Sequence, residues 1–192
     1  MDLTHLKSDR YGVELVSISF LEKASAAIRD VPDFPEPGIV FKDITPLLLQ
    51  PDLLEGVIER MAEEFRDCNV EKILAIDSRG FILGAPVALR LGVGLALARK
   101  GGKLPWKRHR VEYALEYGTD VIEVHADSIS AGERVVVVDD VLATGGTAQA
   151  AGRLVAQAGG KLVGMGFLLE LQFLGGRRKL PDVDVRALLS YS

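Results

Sequence analysis

Two adjacent carboxylates followed by a run of small residues form the most informative segment of this chain. Val135-Val136-Val137-Val138 leads into Asp139-Asp140, and Val141-Leu142-Ala143-Thr144-Gly145-Gly146-Thr147 follows. The valines predict a strand from Arg134 to Val138. The small residues predict a tight loop that feeds a helix from Ala148 to Gln157. In such a loop successive backbone N–H groups point into one concavity, and the helix N-terminus adds partial positive charge, so it suits a phosphate group. Glycine lets the backbone approach the anion, and the hydroxyls of Thr144 and Thr147 donate to it. The segment contains neither G-K-[ST] nor G-x-G-x-x-G, which excludes the nucleotide loops built on those patterns. Carboxylates beside a phosphate repel it unless they face something else. Neighbouring sugar hydroxyls are the natural partner, because carboxylates accept hydroxyl hydrogen bonds. The segment therefore reads as a ribose 5-phosphate cradle. The plainer alternative is a glycine-capped turn with exposed acids.

Three other segments carry chemistry. Asp77-Ser78-Arg79-Gly80 follows the apolar run from Lys72 to Ile76 and precedes a helix expected from Phe81 to Leu91. Its amides and the planar fork of Arg79 suit a second anion, unless Arg79 is a surface residue near a helix cap. Between Arg99 and Arg110 the chain carries Arg99, Lys100, Lys103, Lys107, Arg108, His109 and Arg110 with no acid. Gly101-Gly102 predicts mobility. A mobile basic loop suits closure over a polyanion, although a solvated hairpin tip would look the same. Finally, Asp33-Phe34-Pro35-Glu36-Pro37-Gly38 packs three chain breakers into six residues, which excludes helix and disfavours a central strand. The N–H and C=O groups of Ile39, Val40 and Phe41 are expected to be free of sheet pairing and able to read a ligand, with Phe41 packing against it.

These residues need a scaffold. Helical spacing runs from Val16 to Ile28, and a helix is expected from Pro51 to Asp67 with proline in its first turn. Further strands are expected at Lys72 to Ile76, Gly94 to Ala98, Lys161 to Leu171 and Val185 to Leu189, with extended hairpin arms over Tyr113 to His125 around Gly118-Thr119-Asp120. Apolar strands alternating with helices predict an α/β fold: a doubly wound, mostly parallel sheet covered on both faces. Ligands in such sheets bind beyond the carboxyl ends of the strands, where Asp77 and Asp139 are expected. The 192 residues suit one domain, residues 1–192. A net charge of −4 gives no reason to expect nucleic acid as a partner. No apolar run approaches the roughly 20 residues that span a bilayer, and MDLTHLKSDR lacks the apolar core of a signal peptide. The single cysteine, Cys68, forms no internal disulfide. A soluble, cytoplasmic protein is expected.

The segment VVVVDDVLATGGTA resembles the phosphoribosyl pyrophosphate motif of the type I phosphoribosyltransferases. The segments FPEPGIVFKDI (Phe34 to Ile44), Asp77-Ser78-Arg79-Gly80-Phe81, RKGGKLP (Arg99 to Pro105) and YALEYG (Tyr113 to Gly118) resemble the adenine-specific branch. Order and spacing agree from about residue 30 to 175, and the proline-rich segment with LEYG is the more specific part. The resemblance implies the type I fold with a flexible β-hairpin loop over 99–118 and a small N-terminal base-binding region over 1–45. It implies adenine and phosphoribosyl pyrophosphate as substrates, AMP and pyrophosphate as products, and a role in purine salvage. Asp139 and Asp140 would bind ribose hydroxyls and offset charge at the anomeric carbon. Ala143, Thr144, Gly145, Gly146 and Thr147 would hold the 5-phosphate. Ser78 and Arg79 would form the pyrophosphate loop, and Arg99, Lys100 and Lys103 would belong to the catalytic loop. Glu116 would handle a proton of adenine, beside Tyr117. Ile39, Val40, Phe41 and Lys42 would read the base. Magnesium would be held mainly through phosphoribosyl pyrophosphate, with no protein ligand assigned. The active form would be a homodimer, with Leu15, Ile18 and Leu21 available for burial. The chain departs from the family at Trp106-Lys107-Arg108-His109-Arg110, and at Lys42, where arginine is common. Two alternatives remain: transfer to another base such as xanthine, and a purine-responsive regulator without turnover.

Overall fold

The computed structural model describes residues 20–114 and 118–192. The chain divides into two compact units, one within residues 1–57 and one of residues 58–192.

In the first unit a helix over residues 20–26 (α1) buries Ala24. The part of the expected helix before residue 20 lies outside the described residues. Next come the strands β1 (Arg29–Pro32) and β2 (Val40–Asp43), paired antiparallel from Arg29↔Asp43 to Pro32↔Val40. The proline-rich segment is the loop of this hairpin. Gly38 turns it at φ 87°, where only glycine is unstrained, and its N–H donates to Asp33 Oδ1 at 2.7 Å. The expectation that Val40 and Phe41 are free of sheet pairing is therefore corrected. Pro35 and Pro37 sit in the loop and spare the ladder, so the β-formers Val40 and Phe41 pair with Val31 and Pro32. Ion pairs brace the hairpin: Arg29 to Asp43 and Lys42 to Asp30, each at 2.6 Å. Helices α2 (Thr45–Leu48) and α3 (Pro51–Glu63) follow. α3 stops before the expected Asp67, and a separate 3-10 turn covers Arg66–Cys68.

The second unit is a seven-stranded sheet. Its strands are β3 (Lys72–Ile76), β4 (Gly94–Lys100), β5 (Arg108–Ala114), β6 (Thr119–His125), β7 (Arg134–Leu142), β8 (Lys161–Leu171) and β9 (Asp184–Tyr191). The order is β5-β6-β4-β3-β7-β8-β9. β4, β3, β7, β8 and β9 run parallel, while β6 and β5 form an antiparallel edge. Helix α4 (Arg79–Leu91) connects β3 to β4, and α5 (Gly146–Gln157) connects β7 to β8.

The two-residue period of the strands assigns their faces. Leu74, Ile76, Ala96, Ala98, Val135 and Val137 point to one side and pack with Ala148, Ala151, Leu154 and Val155 of α5. On the other side Gly84 of α4 sits against Ala75, where a Cβ on Gly84 would fall 2.6 Å from that of Ala75. Phe65 covers the same face of β8 at Gly164 and Gly166. No helix among the described residues is long and apolar enough to cross a membrane.

Candidate active site

β3 and β7 are parallel neighbours, with Ala75 opposite Val138. Their carboxyl ends therefore deliver Asp77-Ser78-Arg79 and Asp139-Asp140 to the same place. β7 does not stop at Val138 as expected. Its pairing with β3 ends there, but its pairing with β8 continues to Leu142↔Glu170. The two acids thus stand on a strand that has lost one neighbour, which opens space beside them.

That space is a cavity of about 360 Å³, a size that suits a small ligand. Ser78, Arg79, Lys100, Asp139, Asp140 and Thr147 line it, together with Asp77, Tyr113 and Asp120, whereas Ala143, Thr144, Gly145 and Gly146 lie outside the lining. Gly80 allows the first turn of α4 to close on the acids, since a Cβ there would lie 2.9 Å from Asp139 Oδ1 and from Val138 O. The Asp140 N–H donates to Asp139 Oδ1 at 2.9 Å. Asp140 is only 3% exposed. Its Oδ2 lies 2.9 Å from Arg79 Nε, an ion pair without hydrogen-bond alignment, so this buried oxygen has no hydrogen bond among the described residues. Burial, then the charge of Asp140, pushes the Asp139 carboxyl well above the usual range. Burial raises Asp140 too, and Arg79 opposes the rise. Desolvated carboxylates of this kind are poised for hydroxyl partners, which return the hydrogen bonds that burial removed.

Ala143 to Thr147 turn directly from β7 into α5. Gly145 takes φ 79° at the N-terminus of α5 and is buried. The N-cap residue is this glycine, which has no side chain to cap the terminus, so the backbone N–H groups there suit an anion. Thr147 Oγ1 donates to the hydroxyl of Tyr113 at 3.4 Å, and Tyr113 donates to Asp120 Oδ2 at 3.3 Å. Tyr113 was read only as part of a motif and Asp120 as part of a turn. Both lie opposite each other in the β5–β6 register, and the alternation of Val111 with Tyr113 was the available signal.

The basic stretch is less of a loop than expected. Arg99 and Lys100 end β4, and Arg108, His109 and Arg110 open β5. Only residues 101–107 lie between the strands, because β6 offers both of them a paired edge. Lys100 lines the cavity, whereas Lys103 is exposed and outside the lining. Arg99 also stays out of the lining; its Nε holds Asp77 Oδ2 at 3.0 Å and its guanidinium lies 5.9 Å from the Phe81 ring centre. Glu123, 2% exposed, pairs with Arg108 at 2.9 Å and accepts the Gly102 N–H at 3.0 Å. The sequence reading assigned no role to this buried acid. Ile39, Val40, Phe41 and Lys42 belong to the first unit, on β2 and just before it. Glu116 and Tyr117 lie outside the described residues, as do Leu15 and Ile18.

Residues 45–186 match the phosphoribosyl transferase domain family. An adenine phosphoribosyltransferase of an Anaeromyxobacter species is 54% identical over 177 residues, which span 92% of this chain and 100% of that protein. The solved structure of adenine phosphoribosyltransferase from Rhodothermus marinus is 52% identical with a TM-score of 0.87, covering 91% of this chain and 99% of its own. The Saccharomyces cerevisiae enzyme, solved with adenine and an imino-altritol bisphosphate, is 40% identical with a TM-score of 0.85, covering 90% and 99%.

Proposed function

The chain belongs to the adenine phosphoribosyltransferases, and from that premise we propose a division of labour among its residues. The reaction moves the 5-phosphoribosyl group of phosphoribosyl pyrophosphate to adenine, gives AMP and pyrophosphate, and serves purine salvage.

The observation that carries the assignment is the cavity in which Asp139, Asp140 and Thr147 face Arg79 and Lys100. The amides of Ala143, Thr144, Gly145 and Gly146 and the Thr147 hydroxyl hold the 5-phosphate. Asp139 and Asp140 accept the ribose hydroxyls, and their charge opposes the positive charge that grows at the anomeric carbon as its bond to pyrophosphate breaks. Ser78, Arg79 and Lys100 hold the departing pyrophosphate, with Lys103 and Arg99 on the adjoining stretch. Arg79 then exchanges its pairing with Asp140 for phosphate oxygens, which frees Asp140 for the sugar. Glu116, beside Tyr117, takes or relays the proton that adenine loses on attack. Ile39, Val40, Phe41 and Lys42, on β2 and just before it, read the base, with Phe41 packing against it.

Magnesium fits this donor set through the substrate. It would be held mainly by phosphoribosyl pyrophosphate oxygens and water, which suits an ion that dehydrates reluctantly. Held there, it would help offset the charge of the leaving pyrophosphate. A homodimer is supported by an apolar patch outside the core. Ile82 and Leu89 of α4 are a stripe seven residues apart, and Leu95 and Leu97 of β4 share the face that α4 covers; all four are exposed. The free thiol of Cys68 suits a reducing, cytoplasmic setting.

The test is turnover with phosphoribosyl pyrophosphate and magnesium on adenine, guanine, hypoxanthine and xanthine. Adenine is consumed far faster than any 6-oxopurine; equal or faster use of xanthine refutes the reading.

A further inference from the structure

The phosphate-binding loop is backed by a second stretch of chain that none of the roles above includes. A 3-10 turn, Gly176–Lys179, lies directly behind Ala143, Thr144 and Gly145. The contact is backbone on backbone. A Cβ on Gly176 would overlap Ala143 O and lie 2.8 Å from Gly145 N, and a Cβ on Gly145 would overlap Gly176 O. Each glycine is thus required by the other. The turn is tied to the fold at three points. Arg177 forms a forked pair with Glu170 of β8, Nε to Oε1 at 3.0 Å and Nη2 to Oε2 at 2.5 Å. Its Nη1 donates to Val185 O of β9 at 2.6 Å. Gln149 of α5 donates through Nε2 to Lys179 O at 2.7 Å.

Glu170 is 5% exposed and lies opposite Leu142 in the β7–β8 register, one residue before the loop begins. A carboxylate buried there is costly unless fully paired. Among the described residues its side-chain partner is the fork of Arg177, which neighbours Gly176. The pair joins the end of β8 to the plate against which the loop rests.

We infer that Glu170 and Arg177 are positioning residues for the phosphoribosyl end of the substrate: they hold the Gly176 backbone against Ala143–Gly145 and so fix the direction of the loop amides. This rests on the assignment of that loop to the 5-phosphate. Oriented amides act on the phosphate in ground state and transition state alike, so loosening them weakens uniform binding and raises KM while sparing kcat.

The test compares Glu170→Gln, Arg177→Lys and Gly176→Ala with the wild type in the full chain, well below each variant's Tm. Ribose 5-phosphate binding is followed by calorimetry and phosphoribosyl pyrophosphate turnover by initial rates. Each variant should raise KM for phosphoribosyl pyrophosphate and Kd for ribose 5-phosphate by roughly 10-fold or more, with kcat within about 3-fold and KM for adenine unchanged. Gly176→Ala leaves the ion pair in place, so it carries the test if a charge variant fails to fold. Combining Glu170→Gln with Gly176→Ala should raise KM by less than the product of the single effects, since both act on one contact. A lowered Tm with KM and Kd unchanged overturns the inference and leaves the loop assignment standing. A wild type that turns over adenine but does not bind ribose 5-phosphate overturns the loop assignment and the inference with it.

Discussion

The two polar margins of the cavity are built differently. Asp139 and Asp140 stand on β7, in the interior of the sheet, and the loop that follows is closed from behind by Gly176. Tyr113 and the basic residues Arg108, His109 and Arg110 stand on β5, an edge strand with β6 as its one neighbour. The first margin is held by a backbone ladder and close glycine contacts. The second has a ladder to β6 alone, from Arg108↔His125 to Ala114↔Thr119, with side-chain ties from Glu123 to Arg108 and to the Gly102 amide. On the roles proposed above, the groups that face the reacting carbon lie on the braced side. An edge strand, held from one side only, rearranges locally at lower cost.

The largest effect should come from the braced side. Changing Asp139 and Asp140 together to asparagine keeps their size and removes both charges. Turnover measured in steady state should fall by roughly 100-fold or more, with the fold retained. Near-normal turnover would reduce the acids to a buried turn.

The next contrast sets chemistry against binding. Glu116→Gln should lower the single-turnover rate by about 10²-fold and leave phosphoribosyl pyrophosphate affinity nearly unchanged. Arg79→Ala should instead weaken that affinity, because it removes a fork of donors. If Glu116→Gln loses binding and keeps its chemical rate, Glu116 positions the hairpin and does not move a proton.

A smaller effect concerns stability. Burial and Asp140 raise the Asp139 carboxyl, so between its ordinary value near 3.8 and its folded value the native state binds more protons than the unfolded state. Stability from this group therefore falls as pH rises through that window, and its cost is fully present above the folded value. Asp139→Asn should melt at a higher temperature than wild type at pH 7, with the difference shrinking toward pH 4, even as activity is lost. An equal or lower Tm at pH 7 would show that the charge is not a burden on the fold.

The same contrast governs what was legible from sequence. β3 and β8 were readable to their end residues, because a mainly apolar run bounded by polar residues and glycine marks a strand covered on both faces. The succession of strand, paired acids, loop and helix over residues 134–157 was readable because its parts are consecutive. β1 and β2 were not readable, since two four-residue strands around a proline-rich loop carry no period long enough to recognise. The extension of β7 to Leu142 depends on pairing with β8, and the strand character of Arg108–Arg110 depends on β6; neither partner is visible from the segment itself. Glu123, Glu170 and Arg177 were missed for the same reason. A lone acid in an apolar strand has meaning only once its distant cation is in place.

The most direct test of the account is a crystal structure of the protein with ribose 5-phosphate. The account predicts the phosphate within hydrogen-bond distance of the backbone amides of Ala143 to Thr147, with the ribose hydroxyls on Asp139 and Asp140. A phosphate held instead by Arg79 and Lys100, with the two acids making no contact to the sugar, would contradict it.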